Sequence, residues 1–222
     1  MRVVFSPLKG VFITFEGTEG CGKSTQVCLL AERLTALGHR VRTPREPGGT
    51  PVGEEIRHTL KHSPNNHAMT AEAELLLMNA SRAQLVREVI RPALEAGEIV
   101  VCDRFYDSTT AYQGHGRQLD LEAVRAIIEF AVGGTKPDLT LFLQVPPEVS
   151  AARLQSRQSA LPPVRDRIEE ADQDFFERVA QGFSIIAARE PQRVKVIPGA
   201  QPAEAVSDAI WEQVQPLLAG RR

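Results

Sequence analysis

The chain contains 222 residues, which is enough for one substantial α/β domain. Hydrophobic residues make up 42% and charged residues 24% of the sequence, and this composition excludes an intrinsically disordered chain. A formal net charge of −2 excludes an extended basic surface for nucleic acid or for a membrane. Arginine is much more frequent than lysine among the cationic residues, with 21 arginines and 5 lysines.

The N-terminal part of the chain begins with a strand and a helix. The segment Val11–Phe15 is β-branched and aromatic, which predicts a buried strand that ends in a glycine-rich turn. Apolar residues one turn apart then predict a helix over Ser24–Leu37, which Gly38 ends. The next predicted elements are a short strand around Val41, a helix over Val52–Leu60 and a polar loop over Lys61–Met69.

A long helix is predicted from Thr70, which is a suitable N-cap residue, to about Ala96. Its Leu75–Met78 run is apolar on every side of the helix, so we expect burial on more than one face. Burial inside one large domain and burial against a second subunit would both explain this run.

The C-terminal part continues the alternation of strands and helices. This alternation predicts a parallel sheet with helices on both faces, and the absence of a linker or repeat predicts one domain over residues 1–222. The predicted elements are strands over Ile99–Cys102, Leu139–Val145 and Val194–Ile197, helices over Leu121–Val132, Val149–Leu154, Ile168–Arg189 and Ala203–Leu218, and a loop over Gln155–Val164.

The cysteines Cys21, Cys28 and Cys102 are odd in number and have no paired spacing, which argues against a disulfide framework and against a zinc site. No stretch of 18 apolar residues predicts a membrane span, and the first ten residues are too short and too polar for a signal peptide. We therefore expect a cytoplasmic protein that has neither a membrane nor a nucleic acid as its partner.

One motif carries a specific chemical meaning. Residues Gly17–Ser24 fit the pattern G-x-x-x-x-G-K-[ST], and they lie between a predicted strand and a predicted helix, as a phosphate-binding P-loop requires. Backbone N–H groups and the helix N-terminus would bind a polyphosphate, and Lys23 would reach its β- and γ-phosphates. The predicted ATP-binding residues are Gly17, Thr18, Glu19, Gly20, Cys21, Gly22, Lys23, Ser24 and Thr25.

Two residues at the end of the third predicted strand extend this site. Asp103 follows four apolar residues, which is where a P-loop protein places an acid that supports Mg²⁺ together with the P-loop Ser24. Arg104 would lie at the same edge of the sheet, where ligands bind in open α/β folds.

Three further segments are candidates for binding the phosphate acceptor. The loop Thr43–Thr50 follows the second strand, and Ser108–Gly114 is polar and aromatic, as a pocket for a base would be. The segment Arg153–Arg165 carries three arginines and no acidic residue. We interpret Arg153 and Arg157 in this segment as solvated surface residues.

The combination FEGTEGCGKST, REPGGT, GEEIR, a helical Arg82, DRFYDSTTAYQG and RDRIEE, in this order, resembles the bacterial type of thymidylate kinase from Val11 to about Leu218. The resemblance implies the fold of the nucleoside monophosphate kinases, with a five-stranded parallel sheet and a small lid at about 153–168. It also implies transfer of the γ-phosphoryl group of ATP to dTMP with Mg²⁺, and a homodimer built on long helices.

The resemblance further implies roles for individual residues. The acceptor phosphate would be bound by Arg45, Arg57 and Arg104, and the sugar 3′-hydroxyl or a magnesium-bound water would lie near Glu19. Thymine would be bound by Arg82, Thr109 and Gln113 beside Ser108, while Tyr112 would disfavour a ribose. Members of the family usually carry a phenylalanine stacked on the base where this chain carries Met78, so we expect Met78→Phe to lower the KM for dTMP.

The resemblance also predicts where the catalytic arginine lies. Family members carry it either in the P-loop or in the lid, and the variable P-loop positions of this chain contain no cation. The catalytic arginine would therefore come from the lid, as Arg165 or Arg167. Arg167 is favoured because it lies in the Asp-Arg-Ile-Glu segment that matches the family. A salt bridge at a helix start, between Arg167 and Glu169 or Glu170, is the alternative interpretation.

Two other functions fit the P-loop. One is a related kinase that acts on dUMP, dCMP or a deoxynucleoside, and the other is a nucleotide-binding switch without turnover. Arg82, Thr109 and Gln113 together suit an uncharged pyrimidine-dione, which favours thymine over cytosine.

Overall fold

The computed structural model describes residues 9–160 and 166–219, apart from the side chains of 157–160. In these residues one parallel sheet is formed, with the strand order β2–β3–β1–β4–β5. Because β1 is central, the carboxyl ends of β1 and β3 lie side by side, with Phe15 opposite Asp103. The strands are Val11–Glu16 (β1), Val41–Arg42 (β2), Ile99–Asp103 (β3), Leu139–Gln144 (β4) and Val194–Pro198 (β5).

Helices follow the strands and are extended at three places by wider π-helical turns. These turns are His58–His62 after α2, Val86–Ile90 between α3 and α4, and Thr110–Gly116 after α5. The helices are Lys23–Ala36 (α1), Pro51–Arg57 (α2), Ala71–Leu85 (α3), Arg91–Glu95 (α4), Tyr106–Thr109 (α5), Leu121–Val132 (α6), Pro147–Ala160 (α7), Gln173–Arg189 (α8) and Ala203–Ala219 (α9).

Both faces of the sheet are buried, because successive side chains of a strand point to opposite sides. Ile13 packs with apolar residues of α1 and α9, whereas Phe12 packs with residues of α3, α4 and α6. A third apolar cluster joins Phe142 of β4 to Tyr112 and to Phe183 of α8. The predicted α/β class and the parallel sheet are confirmed.

Several predicted element ends are also confirmed. Thr70 caps α3, since its side-chain oxygen accepts a hydrogen bond from the Ala73 N–H at 3.2 Å. Gly38 and Gly133 follow α1 and α6 with φ values of 88° and 55°, a left-handed conformation that favours glycine.

Two predicted boundaries in the C-terminal part are wrong. The segment Gln155–Val164 was predicted as a loop, but α7 continues through it to Ala160, because polar residues such as Gln, Ser and Arg are compatible with a helix and Pro162 is the first strong helix breaker. The helix predicted from Ile168 begins only at Gln173, where Asp172 accepts a hydrogen bond from the Phe175 N–H at 2.7 Å.

The Leu75–Met78 run is not buried on every side within this chain. Leu75 is buried, whereas the side of α3 that carries Leu76 is open, and Leu76 is 56% exposed. Within residues 9–160 and 166–219, each helix is too short or too polar to cross a bilayer.

Candidate active site

The P-loop connects β1 to α1 in a conformation that depends on its glycines. Gly17, Gly20 and Gly22 have positive φ values of 141°, 74° and 99°. A side chain at Gly17 would bring its Cβ atom to 2.6 Å from the Leu143 carbonyl oxygen, so this position excludes any other residue. Lys23 Nζ donates to the carbonyl oxygens of Gly17 at 3.0 Å and Thr18 at 2.8 Å, which keeps the ammonium group inside the loop.

Ser24 and Asp103 meet at the carboxyl edge of the sheet. The Ser24 hydroxyl donates to Asp103 Oδ2 at 2.7 Å, although 79 residues separate the two. A hydroxyl and a carboxylate are hard oxygen ligands of the kind that Mg²⁺ prefers. Both residues line the same cavity as Lys23. These two residues therefore fit a magnesium ion.

The cavity above the P-loop, the phosphate cavity, has a volume of about 550 Å³ and is lined by more cationic than acidic residues. It is lined by all three arginines that were predicted to bind the acceptor phosphate, Arg45, Arg57 and Arg104. Arg45 donates to both carboxylate oxygens of Glu54 at 2.9 and 3.0 Å, and Arg57 donates to the Pro47 carbonyl at 2.9 Å. The cationic residues that line this cavity are Lys23, Arg45, Arg57, Lys61, Arg104 and Arg153.

Arg104 lies where this cavity meets a second one. Its Nη2 donates to Glu19 Oε1 at 2.8 Å and to the Tyr112 hydroxyl at 3.2 Å, and that hydroxyl donates to Glu19 Oε2 at 2.5 Å. Burial raises the pKa of Glu19, but Arg104, Lys23, the Tyr112 hydroxyl and Lys61 together outweigh it and hold the pKa below its usual value. Glu19 is therefore a carboxylate between two cations.

The second cavity, the base cavity, is smaller, at about 50 Å³, and lies between α3 and the helical segment that begins with α5. The residues predicted to bind a base all line it, although they come from segments that are distant in sequence. They are Met78, Arg82, Ser108, Thr109, Tyr112 and Gln113. The helix over residues 106–116 that presents four of them was not predicted.

Arg82 is almost fully buried, and each of its five N–H donors is used within the protein. Nε and Nη2 donate to Glu46 Oε2 at 2.9 and 2.6 Å. The remaining donors go to Asn79, Thr109 and the Phe105 carbonyl. A base carbonyl in this cavity would have to share one of these donors with its present acceptor.

Arg167 lies apart from the phosphate cavity. Its guanidinium donates to Glu74 on α3 and to the Met69 carbonyl. Its neighbour Ile168 lines the base cavity, and Glu169 lines the phosphate cavity. Glu74 also accepts hydrogen bonds from Gln113 and Arg117. In this position Arg167 is bound to α3 and to the backbone just before it.

The other lid arginines have different outcomes. The interpretation of Arg153 as a solvated surface residue is wrong, because its guanidinium is half-buried and donates to the Gly199 carbonyl at 3.0 Å and the Cys21 carbonyl at 3.4 Å. Arg165 and the Arg157 side chain lie outside the described residues.

Two residues of the site were missed in the sequence. Lys61 lines both cavities and pairs with Asp166 at 2.6 Å. Because the chain has only five lysines, the position of Lys61 could have marked it as a candidate site residue, but it falls in a segment predicted as a polar loop. Glu46 lies within the REPGGT motif, and its partner Arg82 is 36 residues away, a distance that spacing alone does not bridge.

Comparisons of the sequence with known proteins identify its family. A family model described as thymidylate kinase matches residues 15–210. The thymidylate kinase of Exiguobacterium sp. is 47% identical over 205 residues, 92% of this chain and 94% of the relative, and that of Synechococcus sp. strain JA-2-3B'a(2-13) is 49% identical over 209 residues, 94% and 96%.

A comparison with solved structures leads to the same family. The crystal structure of thymidylate kinase from Ehrlichia chaffeensis superposes with a TM-score of 0.74 at 32% identity, covering 92% of this chain and 98% of that one. Because the family model, the relatives and the solved structure all match nearly the whole length, the chain belongs to the thymidylate kinase family.

Proposed function

We propose that the protein transfers the γ-phosphoryl group of ATP to dTMP and releases dTDP and ADP. The observation that carries this proposal is that the two cavities share residues. Glu19, Glu46, Lys61 and Arg104 line both the phosphate cavity and the base cavity. A nucleoside monophosphate in the second cavity would therefore direct its phosphate toward a polyphosphate held by the P-loop.

The donor side of the reaction rests on the P-loop. Its backbone N–H groups and Lys23 would bind the β- and γ-phosphates, and Ser24 and Asp103 would hold Mg²⁺. When bound there, Mg²⁺ neutralises phosphate charge and helps to orient the γ-phosphoryl group. Lys23 would exchange its bonds to the Gly17 and Thr18 carbonyls for phosphate oxygens.

The acceptor needs no general base. The attacking atom is a phosphate oxygen of dTMP, which is already anionic near neutral pH. The barrier is therefore electrostatic, since two polyanions must meet in line while charge moves onto the leaving oxygen. Arg104, at the junction of the cavities, would contact the acceptor phosphate, while Arg45, Arg57 and Lys61 would supply further positive charge.

The base side sets the choice of substrate. Arg82, Thr109 and Gln113 would bind the carbonyl and N–H edges of thymine, and Met78 would pack on the ring. Ser108 would line the same pocket, and Tyr112 would lie near C2′ of the sugar, where its ring leaves little room for a ribose hydroxyl. Glu19, bonded to both Arg104 and Tyr112, would lie near the 3′-hydroxyl.

The lid, at about residues 153–168, would supply the remaining arginine. We propose Arg165 or Arg167 for this role, and Arg167 would first have to leave Glu74. Arg153, bonded to the P-loop, would contact the ATP side. Closure of the lid over the site would exclude water and limit hydrolysis of ATP.

We also propose that the enzyme is a cytoplasmic homodimer. Helices α3 and α6 pack against each other, and each exposes a large apolar side chain, Leu76 at 56% and Phe130 at 84%. Such side chains are typical of a surface that another subunit covers.

The test is an ADP-release assay with ATP, Mg²⁺ and a panel of acceptors. We expect dTMP to have the highest kcat/KM, ahead of dUMP, with little activity on dCMP or thymidine. Higher activity on dCMP or on a deoxynucleoside would select the related kinase instead. Binding of ATP without transfer to any acceptor would select a nucleotide-binding switch.

A further inference from the structure

Glu16 is a buried carboxyl group that the proposed mechanism does not use. It is the last residue of β1 and has no solvent-accessible surface. Its Oε1 accepts a hydrogen bond from the Phe105 N–H at 2.8 Å, and its Oε2 accepts one from the Ser108 hydroxyl at 2.5 Å. Both donors belong to the segment that carries Arg104 into the active site.

The Ser108 hydroxyl links Glu16 to the side chain of Arg104. When Glu16 is ionised it accepts the single proton of the Ser108 hydroxyl, so Ser108 Oγ faces Arg104 only as an acceptor. Arg104 Nη1 donates to this oxygen at 2.9 Å. The carboxylate therefore sets the direction of both hydrogen bonds and aligns one edge of the guanidinium, while Glu19 binds its Nη2 group.

Glu16 also fixes the backbone beneath that guanidinium. Arg104 has a φ of 70°, a left-handed conformation that non-glycine residues adopt only when their surroundings hold them in it. The Arg104 N–H donates to the Phe15 carbonyl at 3.0 Å, and the next N–H, of Phe105, donates to Glu16. Two consecutive amides are thus bound to the end of β1.

The groups around Glu16 have opposite effects on its pKa. Burial, and after it the nearby Asp107, raises the pKa of Glu16 to about 8, whereas the Ser108 hydroxyl, Arg104 and the Phe105 N–H lower it. Asp107 is itself bound by Arg193 at 2.7 and 2.8 Å, which leaves Arg104 as the cation facing Glu16 through Ser108.

We propose that Glu16 is a positioning residue for phosphoryl transfer, which orients the Arg104 guanidinium through the Ser108 hydroxyl and the Phe105 amide. This inference rests on the proposed function, because Arg104 is the group placed between the two substrates. Glu16 touches neither substrate itself.

The test compares Glu16→Gln with Glu98→Gln, a matched change of another buried glutamate at the opposite end of the sheet, where Glu98 binds Arg42. The glutamine amide would donate to Ser108 and turn the hydroxyl proton toward Arg104. At pH 9, where Glu16 is ionised, we expect kcat with dTMP to fall between about 10- and 100-fold in E16Q, with the KM for ATP within about twofold of wild type. E98Q should keep its kcat within about twofold of wild type.

A double-mutant cycle with Ser108→Ala separates positioning from a general loss of structure. If Glu16 acts through Ser108, E16Q should reduce kcat much less in the S108A background than in wild type. S108A by itself, which needs no folded E16Q protein, should also lower kcat with an unchanged KM for ATP.

The outcomes separate the two proposals. The role of Glu16 is overturned if the wild type transfers phosphate to dTMP but E16Q is as active as E98Q. It is also overturned if the effects of E16Q and S108A on kcat are independent. Either result leaves the proposed function intact. Absence of transfer to any monophosphate by the wild type overturns the function and this inference with it.

Discussion

Arg82 and Glu46 form a buried ion pair in which two guanidinium N–H groups donate to the same carboxylate oxygen, Glu46 Oε2. The other oxygen, Oε1, is buried and has no hydrogen-bond partner among the described residues. Burial outweighs Arg82 and raises the pKa of Glu46. The base cavity is thus lined by an arginine whose charge is already balanced, which suits an uncharged base.

Removing one member of this pair should be far more harmful to stability than removing both. We expect Glu46→Leu to lower the free energy of unfolding by about 3–5 kcal/mol, because it leaves a buried, unpaired cation. The double variant E46L/R82M should recover most of that loss, since two apolar side chains can pack together. Urea unfolding measures both, and a double variant as unstable as E46L would contradict this account.

The same double variant should separate stability from substrate binding. Although folded, E46L/R82M should have a KM for dTMP at least about tenfold higher than wild type, because it lacks the donors that face the base. The KM for ATP should stay within about twofold of wild type.

Glu16 should make stability depend on pH. Its pKa is about 8 in the folded protein and near 4.5 in the unfolded chain, so the folded state keeps a proton that the unfolded state has released. This contribution to stability is complete below pH 4.5 and is lost as the pH rises through about 8. The excess of the wild-type Tm over that of Glu16→Gln should therefore shrink between pH 5 and pH 8.

The control for this measurement is Glu98→Gln. Hydrogen bonding to Arg42 lowers the pKa of Glu98, so this carboxyl group does not titrate between pH 5 and 8. Its Tm difference from wild type should be constant over that range. A constant difference for E16Q as well would show that Glu16 has an ordinary pKa.

Met78 should limit the affinity for the base. It lines the base cavity and packs beside the cluster that contains Tyr112 and Phe175, but its flexible thioether stacks on a ring less rigidly than an aromatic side chain. We expect Met78→Phe to lower the KM for dTMP by about two- to tenfold. Leu37→Phe, at an exposed position after α1, serves as the control and should leave the KM unchanged. An unchanged KM in folded M78F would remove Met78 from the base pocket.

The two lid candidates should differ in the size of their effects. Arg165→Ala should reduce kcat by about 10³-fold if this arginine stabilises the transferred group. Arg167→Ala should have a smaller effect, because Arg167 is held by Glu74 and the Met69 carbonyl. The exposed Arg125→Ala is the matched control, and the reverse order of the two effects would assign the role to Arg167.

The apolar side chains on α3 and α6 should control the oligomeric state. Leu76→Glu and Phe130→Glu would each place a charge in the proposed subunit contact, which disfavours association. Sedimentation velocity should show a dimer for wild type and a monomer for the double variant, with the free energy of unfolding of each chain little changed. A monomeric wild type would contradict the proposed dimer.

The sequence predicted what depends on local pattern. The P-loop between a β-branched strand and an amphipathic helix, the strand that ends at Asp103 and the cap at Thr70 were all visible in short windows. The helix over 106–116 was not, because its serines, threonines and glycines carry no helical periodicity and Tyr112 and Phe175 pack across a long separation.

Long-range partners were the main limit of the sequence. Arg153 was interpreted as a surface residue because its acceptors, the carbonyls of Cys21 and Gly199, lie 132 and 46 residues away. Glu16 attracted no attention because a carboxyl group at a strand end is common, and only the fold reveals the donors that Phe105 and Ser108 bring to it.

The four residues shared by the cavities have a consequence for inhibition. Because Glu19, Glu46, Lys61 and Arg104 line both cavities, we expect one compound that joins a pyrimidine to an anionic tail to compete with ATP and with dTMP at once. A resistant variant altered at any of these four positions would also disturb the natural reactants. Escape from such a compound would therefore have to arise outside the junction.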